Sequence, residues 1–279
     1  MELSSLTVEE LARNLGLSTD ALKSLADMAP RLYRPRDIPK KSGGTRRIDA
    51  PHRNLKAAQT LLLHRVLTHL HTHPILYGGK GTSPEMAVAA HVRKPLVMTL
   101  DLKDFFPSVS RRMVLEMLMS RGASRVVATL VCRLVTFKNH LPQGAPTSPQ
   151  IARLVLHPAA GHIVTALKRT TEQSNGSIWV DDVTVSGPLG LKRLMPTLIR
   201  IFERHGFRVN RKKCEMMGAD REQVSLGMKL NNGIAPTSAY LAEYERECTR
   251  LGSTHQRCVG MRRRIKKLVC GGLATTPIP

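Results

Sequence analysis

Two kinds of apolar pattern alternate along the chain and predict a mixture of helices and strands. Apolar residues spaced three and four apart predict helices in residues 5–28 (as a short pair), 55–70, 84–93, 110–135 and 191–205, in a stretch that follows a loop and ends near residue 167, and in the stretch after residue 236. Short apolar runs predict strands at residues 96–101, 177–180 and 183–186, with a last pair near 224–235.

Adjacent carboxylates lie between the two middle strands. Asp181 and Asp182 separate residues 177–180 from residues 183–186, which predicts a hairpin with acids at its tip, and Asp101 ends an earlier strand. Nucleotidyl transfer requires carboxylates that hold two Mg²⁺ ions about 4 Å apart. A simple turn with solvated acids has the same sequence, so this interpretation depends on the surrounding motifs.

The net charge of the chain indicates which class of molecule it binds. The 279 residues contain 43 Lys and Arg against 21 Asp and Glu, a net charge of +22 with a pI near 10.6. Such a balance favours a polyanion, most simply nucleic acid. Because only 4% of the residues are aromatic, we expect contacts to the phosphate backbone, with strong salt dependence, to dominate over base stacking.

The same composition argues against a membrane or secreted protein. No apolar run approaches the roughly 20 residues that span a bilayer, and the first five residues lack the pattern of a signal peptide. The 5 cysteines form no CxxC pair, which predicts neither a zinc site nor a disulfide framework. We therefore expect no membrane partner and a cytoplasmic location.

Six segments match the motifs of one family in order. They are KKSGGTR at 40–46 with AP at 50–51 and LKxxQ at 55–59, DLKDFFPS at 101–108, LPQGAPTSP at 141–149, WVDD at 179–182, GFxVNxxK at 206–213 and SLG at 225–227. On these motifs the chain resembles bacterial reverse transcriptases, including those of retrons, over about residues 33 to 235.

The resemblance implies an α+β right-hand polymerase. It implies an N-terminal helical segment (1–35), fingers (36–95 and 111–140), a palm with an antiparallel sheet and packed helices (96–110 and 141–235) and a short, basic, helical thumb (236–279). The thumb would bind nucleic acid through five cations, Arg262, Arg263, Arg264, Lys266 and Lys267. A simply solvated helix is the alternative for this charged stretch.

The family also implies roles for individual residues. Two Mg²⁺ ions, with Mn²⁺ as a substitute, would be held by the catalytic Asp101, Asp181 and Asp182 and by the backbone of Leu102. The incoming nucleotide would be bound by Lys40, Arg46, Phe106, Gln143 and Lys213. Phe106 would exclude a 2′-hydroxyl and Lys213 would protonate the pyrophosphate or bind a phosphate. The alternatives are a solvated basic loop at 40–46 and an ordinary core Phe.

Three motifs depart from the family pattern. The carboxylate motif usually begins Tyr-Ala, whereas this chain has Trp179 and Val180. Retron enzymes usually carry Asn-Ala-x-x-His before the first palm motif, and only the histidine, His91, is kept here. They also carry Val-Thr-Gly after the fourth motif, where this chain has Val-Ser-Leu-Gly at residues 224–227. The polymerase assignment is unaffected, but an intron-type or other defence-associated reverse transcriptase stays open beside the retron type.

The leading interpretation is an RNA-directed DNA polymerase that copies a structured noncoding RNA into DNA (the msDNA of a retron) from deoxynucleoside triphosphates. The resemblance also implies an effector protein in antiphage defence. One alternative is an RNA-binding scaffold without chemistry, which the intact carboxylates disfavour. Others are a helix-turn-helix DNA-binding regulator through residues 5–28 and an RNA-templated RNA polymerase, which Phe106 disfavours.

Overall fold

The computed structural model describes residues 3–39 and 43–270. The α-helices are α1 (Val8–Asn14), α2 (Thr19–Met28), α3 (Arg53–Arg65), α4 (Pro84–Val88), α5 (Phe105–Ser108), α6 (Arg111–Ser120), α7 (Arg125–Val135), α8 (Ser148–Thr170), α9 (Met195–Arg204), α10 (Ser238–Leu251) and α11 (Gln256–Cys270). The strands are β1 (Tyr33–Pro39), β2 (Thr45–Pro51), β3 (Leu76–Tyr77), β4 (Leu96–Asp101), β5 (Asn175–Trp179), β6 (Asp182–Gly187), β7 (Glu215–Gly218), β8 (Val224–Ser225), β9 (Met228–Lys229) and β10 (Ala235–Pro236). Short 3₁₀ helices cover Ala29–Arg31, Leu67–His69, Ala89–His91, Leu189–Leu194 and Arg211–Lys213.

The chain forms two compact units whose segments interleave in sequence. The first unit contains Met1–Gly81, Leu102–His162 and Ile201–Arg208, and the second contains Thr82–Asp101, Ile163–Arg200 and Val209–Pro279. The boundaries of the fingers, palm and thumb stay a prediction. In the described part of the chain no helix has the length and apolar character that a bilayer crossing requires.

Most predicted helices form, and local residues explain where they end. The predicted helix at 110–135 is two helices, α6 and α7, because Gly122 turns the chain at a φ of 92° and the Ser124 hydroxyl then caps α7 at the backbone N–H of Val127. The predicted helix at 84–93 stops early, since α4 tightens into the 3₁₀ turn that contains His91.

The N-terminal helix pair packs against the first unit. Thr7 and Glu10 form a capping box at the start of α1. Leu11 and Leu22 are fully buried, and their helices contact α3 and α7. The exposed residues of α2 include Asp20, Lys23 and Asp27, so its surface carries charges of both signs. This packing favours a structural helical hairpin over a DNA-reading unit, whose second helix has to be free to enter a groove.

An antiparallel hairpin, β1 with β2, projects from the first unit. Its register runs from Tyr33 opposite Pro51 to Pro39 opposite Thr45. Only the base is buried, where the Tyr33 hydroxyl accepts a 2.8 Å hydrogen bond from the Gln59 amide. That buried amide also donates to the Leu134 carbonyl at 2.8 Å. The hairpin is therefore fixed at its base and surrounded by solvent towards its tip.

An antiparallel sheet with the order β5-β6-β4-β7 is the centre of the second unit. One face is apolar and buried, with Met98, Leu100 and Val183 among its residues. Alternate residues point to opposite sides of a strand, and the opposite face carries Thr99, Thr184 and Ser186 beside the apolar Val97. A second cluster, which we call the thumb-base cluster, consists of Val88, Val97, Met217, Met228, Leu230 and Leu268. It fixes α11 to the β8–β9 hairpin and the sheet.

Candidate active site

The strand register of the second unit brings the predicted carboxylates together at one end of the sheet. Asp101 ends β4 directly opposite Asp182, the first residue of β6. Trp179, the last residue of β5, also pairs with Asp182, so Val180 and Asp181 form a two-residue turn. The predicted hairpin is thus present, with the strand boundary one residue from the expected position. Residues opposite each other share a face, which places Asp101 and Asp182 side by side.

The turn that carries the carboxylates has an unusual backbone. Val180 has a φ of 59°, in the left-handed region, whereas Asp181 does not. A positive φ at the first central position is typical of a type II′ turn, where glycine is preferred. A β-branched residue is a genuine outlier there and costs on the order of 1–3 kcal/mol. The paired strands on both sides hold the turn in this conformation.

The charges of the three carboxylates repel one another in the absence of a cation. The pKa of Asp182 is raised to about 6, first by the protein atoms that displace water from its carboxylate and then by the charges of Asp181 and Asp101. Like charges directly opposite each other in a sheet are destabilising. The arrangement is therefore one that a bound cation would stabilise.

The ammonium group of Lys213 pairs with one of these carboxylates. Its Nζ lies 2.9 Å from Oδ1 of Asp101, and its pKa is raised chiefly by that hydrogen bond. The Asp101 carbonyl accepts a 2.8 Å bond from the backbone N–H of Asn210, which fixes the 3₁₀ helix that carries Lys213 beside β4. Lys213, predicted to bind the nucleotide, thus lies among the carboxylates and pairs with one of them.

The donor set suits a hard divalent cation. Carboxylate oxygens are the ligands that Mg²⁺ prefers, and it is usually bound by one or two carboxylates together with substrate phosphates rather than by a complete protein cage. Within residues 3–39 and 43–270, no group of three His, Cys, Asp or Glu side chains forms a metal site by itself. Leu102 is buried and belongs to the first unit. Its predicted role as a metal ligand stays a prediction.

His91 joins the two strands that present Asp181 and Asp182. Its ring is fully buried, with Nδ1 2.7 Å from the Ser186 hydroxyl and Nε2 2.9 Å from the Ser177 hydroxyl. Burial, and next the charge of Lys94, lower its pKa to about 4. Sequence reasoning identified this histidine only as the remnant of a motif. Its partners are one serine on each of β5 and β6, far from it in sequence, so no local pattern indicated this role.

Two of the predicted nucleotide-binding residues of the first unit, Arg46 and Gln143, lie on β2 and in a loop that contacts β2. Lys40 lies outside the described residues. Arg46 is exposed on β2, and the Gln143 carbonyl accepts a 2.8 Å bond from the backbone N–H of Asp49 on the same strand. Gly144 has a φ of 124°, and a Cβ there would lie 2.8 Å from Cγ2 of Ile48. Glycine is therefore required where this loop meets β2.

Phe106 is more exposed than its neighbour Phe105. Phe105 is buried, with its ring centroid 5.8 Å from that of Phe207, whereas Phe106 is half-buried and 5.5 Å from Phe105. Phe106 thus contacts the core through Phe105 and is partly open to solvent. This placement is compatible with a wall beneath a sugar, and that role stays a prediction.

Intramolecular contacts occupy three of the five predicted thumb cations. Arg262 donates to the Tyr244 hydroxyl at 2.9 Å, Arg264 lies over the Tyr240 ring at 5.1 Å, and Lys267 pairs with Glu85 at 2.8 Å. Arg263 and Lys266 are exposed and have no such partner among the described side chains. These two are the thumb cations that are free to contact a phosphate, a distinction that charge counting could not make.

Comparison with known proteins agrees with this geometry. Residues 38–253 match the family described as Reverse transcriptase (RNA-dependent DNA polymerase). The retron Mx65 reverse transcriptase of Myxococcus xanthus is 31% identical over 258 residues, which cover 82% of this chain and 59% of the relative. The retron Ec86 reverse transcriptase of Escherichia coli is 28% identical over 233 residues, 80% of this chain and 71% of the relative. The chain therefore spans only part of each relative's length.

Solved structures share the fold. A telomerase of Candida albicans, in complex with a fragment of telomeric RNA, has a TM-score of 0.56 at 10% identity over 85% of this chain and 54% of that chain. A truncated apo telomerase of Candida tropicalis has a TM-score of 0.54 at 14% identity over 79% of this chain and 61% of that chain. At such identities the likeness concerns the fold alone, and it confirms the predicted α+β polymerase fold.

Proposed function

Because the chain belongs to the reverse transcriptase family, we propose that it is an RNA-directed DNA polymerase, and that it copies a structured noncoding RNA by nucleotidyl transfer with two divalent ions. The single observation that carries this proposal is the register that sets Asp101 opposite Asp182, with Asp181 in the adjoining turn. Three carboxylates at neighbouring strand ends are the arrangement that this chemistry needs.

The residues of the second unit would act as follows. Asp101, Asp181 and Asp182 would hold divalent ions, which supply a polarised 3′-hydroxyl and neutralise the charge of the leaving pyrophosphate when bound. Lys213 would exchange its bond to Asp101 for a phosphate oxygen as substrate arrives. Its ammonium group would then donate a proton at Nζ to the leaving group.

The residues of the first unit would position the substrate. Arg46 is exposed and suited to bidentate contact with a triphosphate. The loop of Gln143 and Gly144 lies against β2 through a backbone hydrogen bond, and would form the floor under a templating base. Phe106 would select deoxynucleotides by excluding the 2′-hydroxyl.

The finer assignments follow from relatives that are named retron reverse transcriptases. We propose Mg²⁺ as the natural ion with Mn²⁺ as a substitute, deoxynucleoside triphosphates as substrates, and the structured RNA and its DNA copy as partners. An effector protein in a retron-like antiphage defence system and a cytoplasmic location belong to the same proposal. An intron-type enzyme or another defence reverse transcriptase is the alternative.

A scaffold without chemistry is the second candidate, and the carboxylates weigh against it. Opposed Asp101 and Asp182, with the pKa of Asp182 raised to about 6, are destabilising without a cation. A scaffold would gain nothing from keeping these groups in register with a strained turn at Val180. Loss of any one carboxylate would relieve the repulsion, so their joint presence supports catalysis.

The experiment purifies the protein from cells that carry its native locus and sequences the nucleic acid that accompanies it. An Asp181→Asn/Asp182→Asn variant is compared with wild type and with Asp20→Asn/Glu172→Gln, which removes the same charge at two exposed acids. We expect one defined RNA with complementary DNA in wild type and control, and RNA without DNA in the active-site variant. Equal DNA in all three would refute the proposal, and mixed RNA without DNA would favour the scaffold.

A further inference from the structure

A groove of about 880 Å³ lies in the first unit, between α6, α8 and the turn that follows α9. Its floor is apolar and includes Met117, Leu154 and Val155, which are buried. None of the residues assigned above to the polymerase reaction lines it. Small-molecule sites are clefts of about 300–1,000 Å³ that combine apolar side chains with a few polar groups. The groove therefore has the size of a ligand site of its own.

Arg121 brings a positive charge to this groove without an acid beside it. It follows the last residue of α6, and its guanidinium donates a 2.8 Å hydrogen bond to the backbone carbonyl of His71. Burial lowers the pKa of Arg121, because protein atoms displace water from the charged group. No Asp or Glu within the described ranges pairs with it. A guanidinium has several N–H donors, so most of those of Arg121 remain available to an anion.

Histidine rings lie beside Arg121. The half-buried ring of His157 has its centroid 5.7 Å from that of His71 and 6.0 Å from that of His73. Burial, and next the charge of Arg121, lower the pKa of His157. Nδ1 of His157 is buried, which leaves Nε2 as the ring nitrogen that a ligand can reach. A bound anion would favour the charged imidazole. We call the three lining residues Arg121, His71 and His157 the arginine–histidine cluster.

The acids of the groove favour a small ligand over a nucleic acid strand. Glu116 and Glu203 are exposed and also line the groove, and Glu116 lies 3.5 Å from Arg112. A strand of phosphates that ran along the groove would pass both carboxylates. A single phosphate group on the arginine–histidine cluster would lie beside positive charges alone, since no acid affects the pKa of His157.

We propose that this groove binds a free nucleotide, with its phosphate on the arginine–histidine cluster and its base against the apolar floor. A guanidinium can bind a phosphate through two parallel hydrogen bonds, and a protonated Nε2 supplies a further donor. The soft side chains of Met113 and Met117, which line the groove, suit a flat base. The inference goes beyond the proposed function, because this nucleotide is bound without being incorporated into DNA.

The test measures binding to the full chain by isothermal titration calorimetry in EDTA, which removes the divalent ions that nucleotidyl transfer requires. The probes are ATP, adenosine, and a short single-stranded RNA without a terminal phosphate. The variant Arg121→Gln/His157→Gln is set against Arg125→Gln/His64→Gln, which removes the same two kinds of side chain at exposed positions of the first unit. Arg204→Gln is a milder variant, since Arg204 is exposed and lines the groove.

We expect ATP to bind wild type and the control with equal affinity, and adenosine and the RNA to bind far more weakly. Hydrogen bonds to charged groups contribute about tenfold each in affinity, so the Arg121→Gln/His157→Gln variant should bind ATP about 100-fold more weakly than wild type. Because water screens the exposed Arg204, its loss should weaken ATP binding by only about threefold. Circular dichroism verifies that each variant is folded.

Several results would overturn the inference. Wild type could fail to bind ATP, or the double variant and its control could bind ATP equally well. The RNA could bind more tightly than ATP and lose its affinity in the double variant, which would assign the groove to a nucleic acid strand. An equal loss of ATP affinity in Arg46→Gln would place ATP at the site of the incoming nucleotide. If the double variant does not fold, unchanged affinity in Arg204→Gln refutes the site.

Discussion

His91 should make the second unit sensitive to acid, because protonation places a charge in a fully buried site. Its pKa is lowered to about 4 from 6.5, mainly by burial. The folded protein therefore binds this proton less readily than the unfolded chain, so stability is unaffected above about pH 6.5 and falls as the pH drops towards 4. The full difference is about 3 kcal/mol, since one pKa unit corresponds to about 1.4 kcal/mol.

The assay is urea unfolding of wild type and His91→Gln at about pH 7.5 and about pH 5, followed by circular dichroism. A glutamine can still bond the serine hydroxyls but does not titrate. Between these two pH values the advantage of wild type over the variant should shrink by about 2 kcal/mol. An advantage that is the same at both pH values would refute the reasoning, because other titrating groups act equally on both proteins.

Three further changes test the site and its supports. Lys213→Met removes the ion pair with Asp101, in which the lysine side chain is largely exposed. Because solvent screens this pair, we expect Mg²⁺ binding measured by calorimetry to tighten by only about threefold, and we expect primer extension to slow. An unchanged affinity for Mg²⁺ would contradict the idea that the lysine and the ion compete for Asp101. Val180→Gly relieves the strain of the positive φ. After subtraction of the entropy cost of glycine, it should raise the free energy of unfolding, measured in denaturant, by about 1 kcal/mol. A lower free energy of unfolding would show that the turn is unstrained. Leu268→Ala leaves a cavity in the thumb-base cluster. It should lower the free energy of unfolding by about 3 kcal/mol and weaken primer–template binding. Unchanged binding would show that α11 does not contact the duplex.

The sequence allowed the fold class and the carboxylate hairpin to be predicted because both depend on local signals. Alternating apolar residues around Asp181 and Asp182 indicate paired strands, and the motifs stand in the order of a known family. Pairing across strands is not local, so the position of Asp101 opposite Asp182 became definite only with the register. The family match confirmed the reverse transcriptase interpretation.

Contacts between distant residues explain what the sequence could not predict. Arg262, Arg264 and Lys267 look equivalent to Arg263 and Lys266 in a basic run, yet the first three have tyrosine or glutamate partners far away in sequence. The role of His91 likewise depends on serines from other segments. The positive φ of Val180 has no sequence signal either, since turn chemistry alone favours glycine at that position.

The carboxylates are placed by backbone pairing of β4, β5 and β6 and not by flexible loops. A metal site that exists before its ion arrives does not need the ion in order to fold, unlike a zinc finger that unfolds when its metal is removed. We therefore expect this protein to survive chelation intact. An enzyme stripped with EDTA would stay folded, with its melting temperature lowered only by the loss of the ion's own binding energy, and would resume synthesis as soon as Mg²⁺ is returned, without a refolding lag.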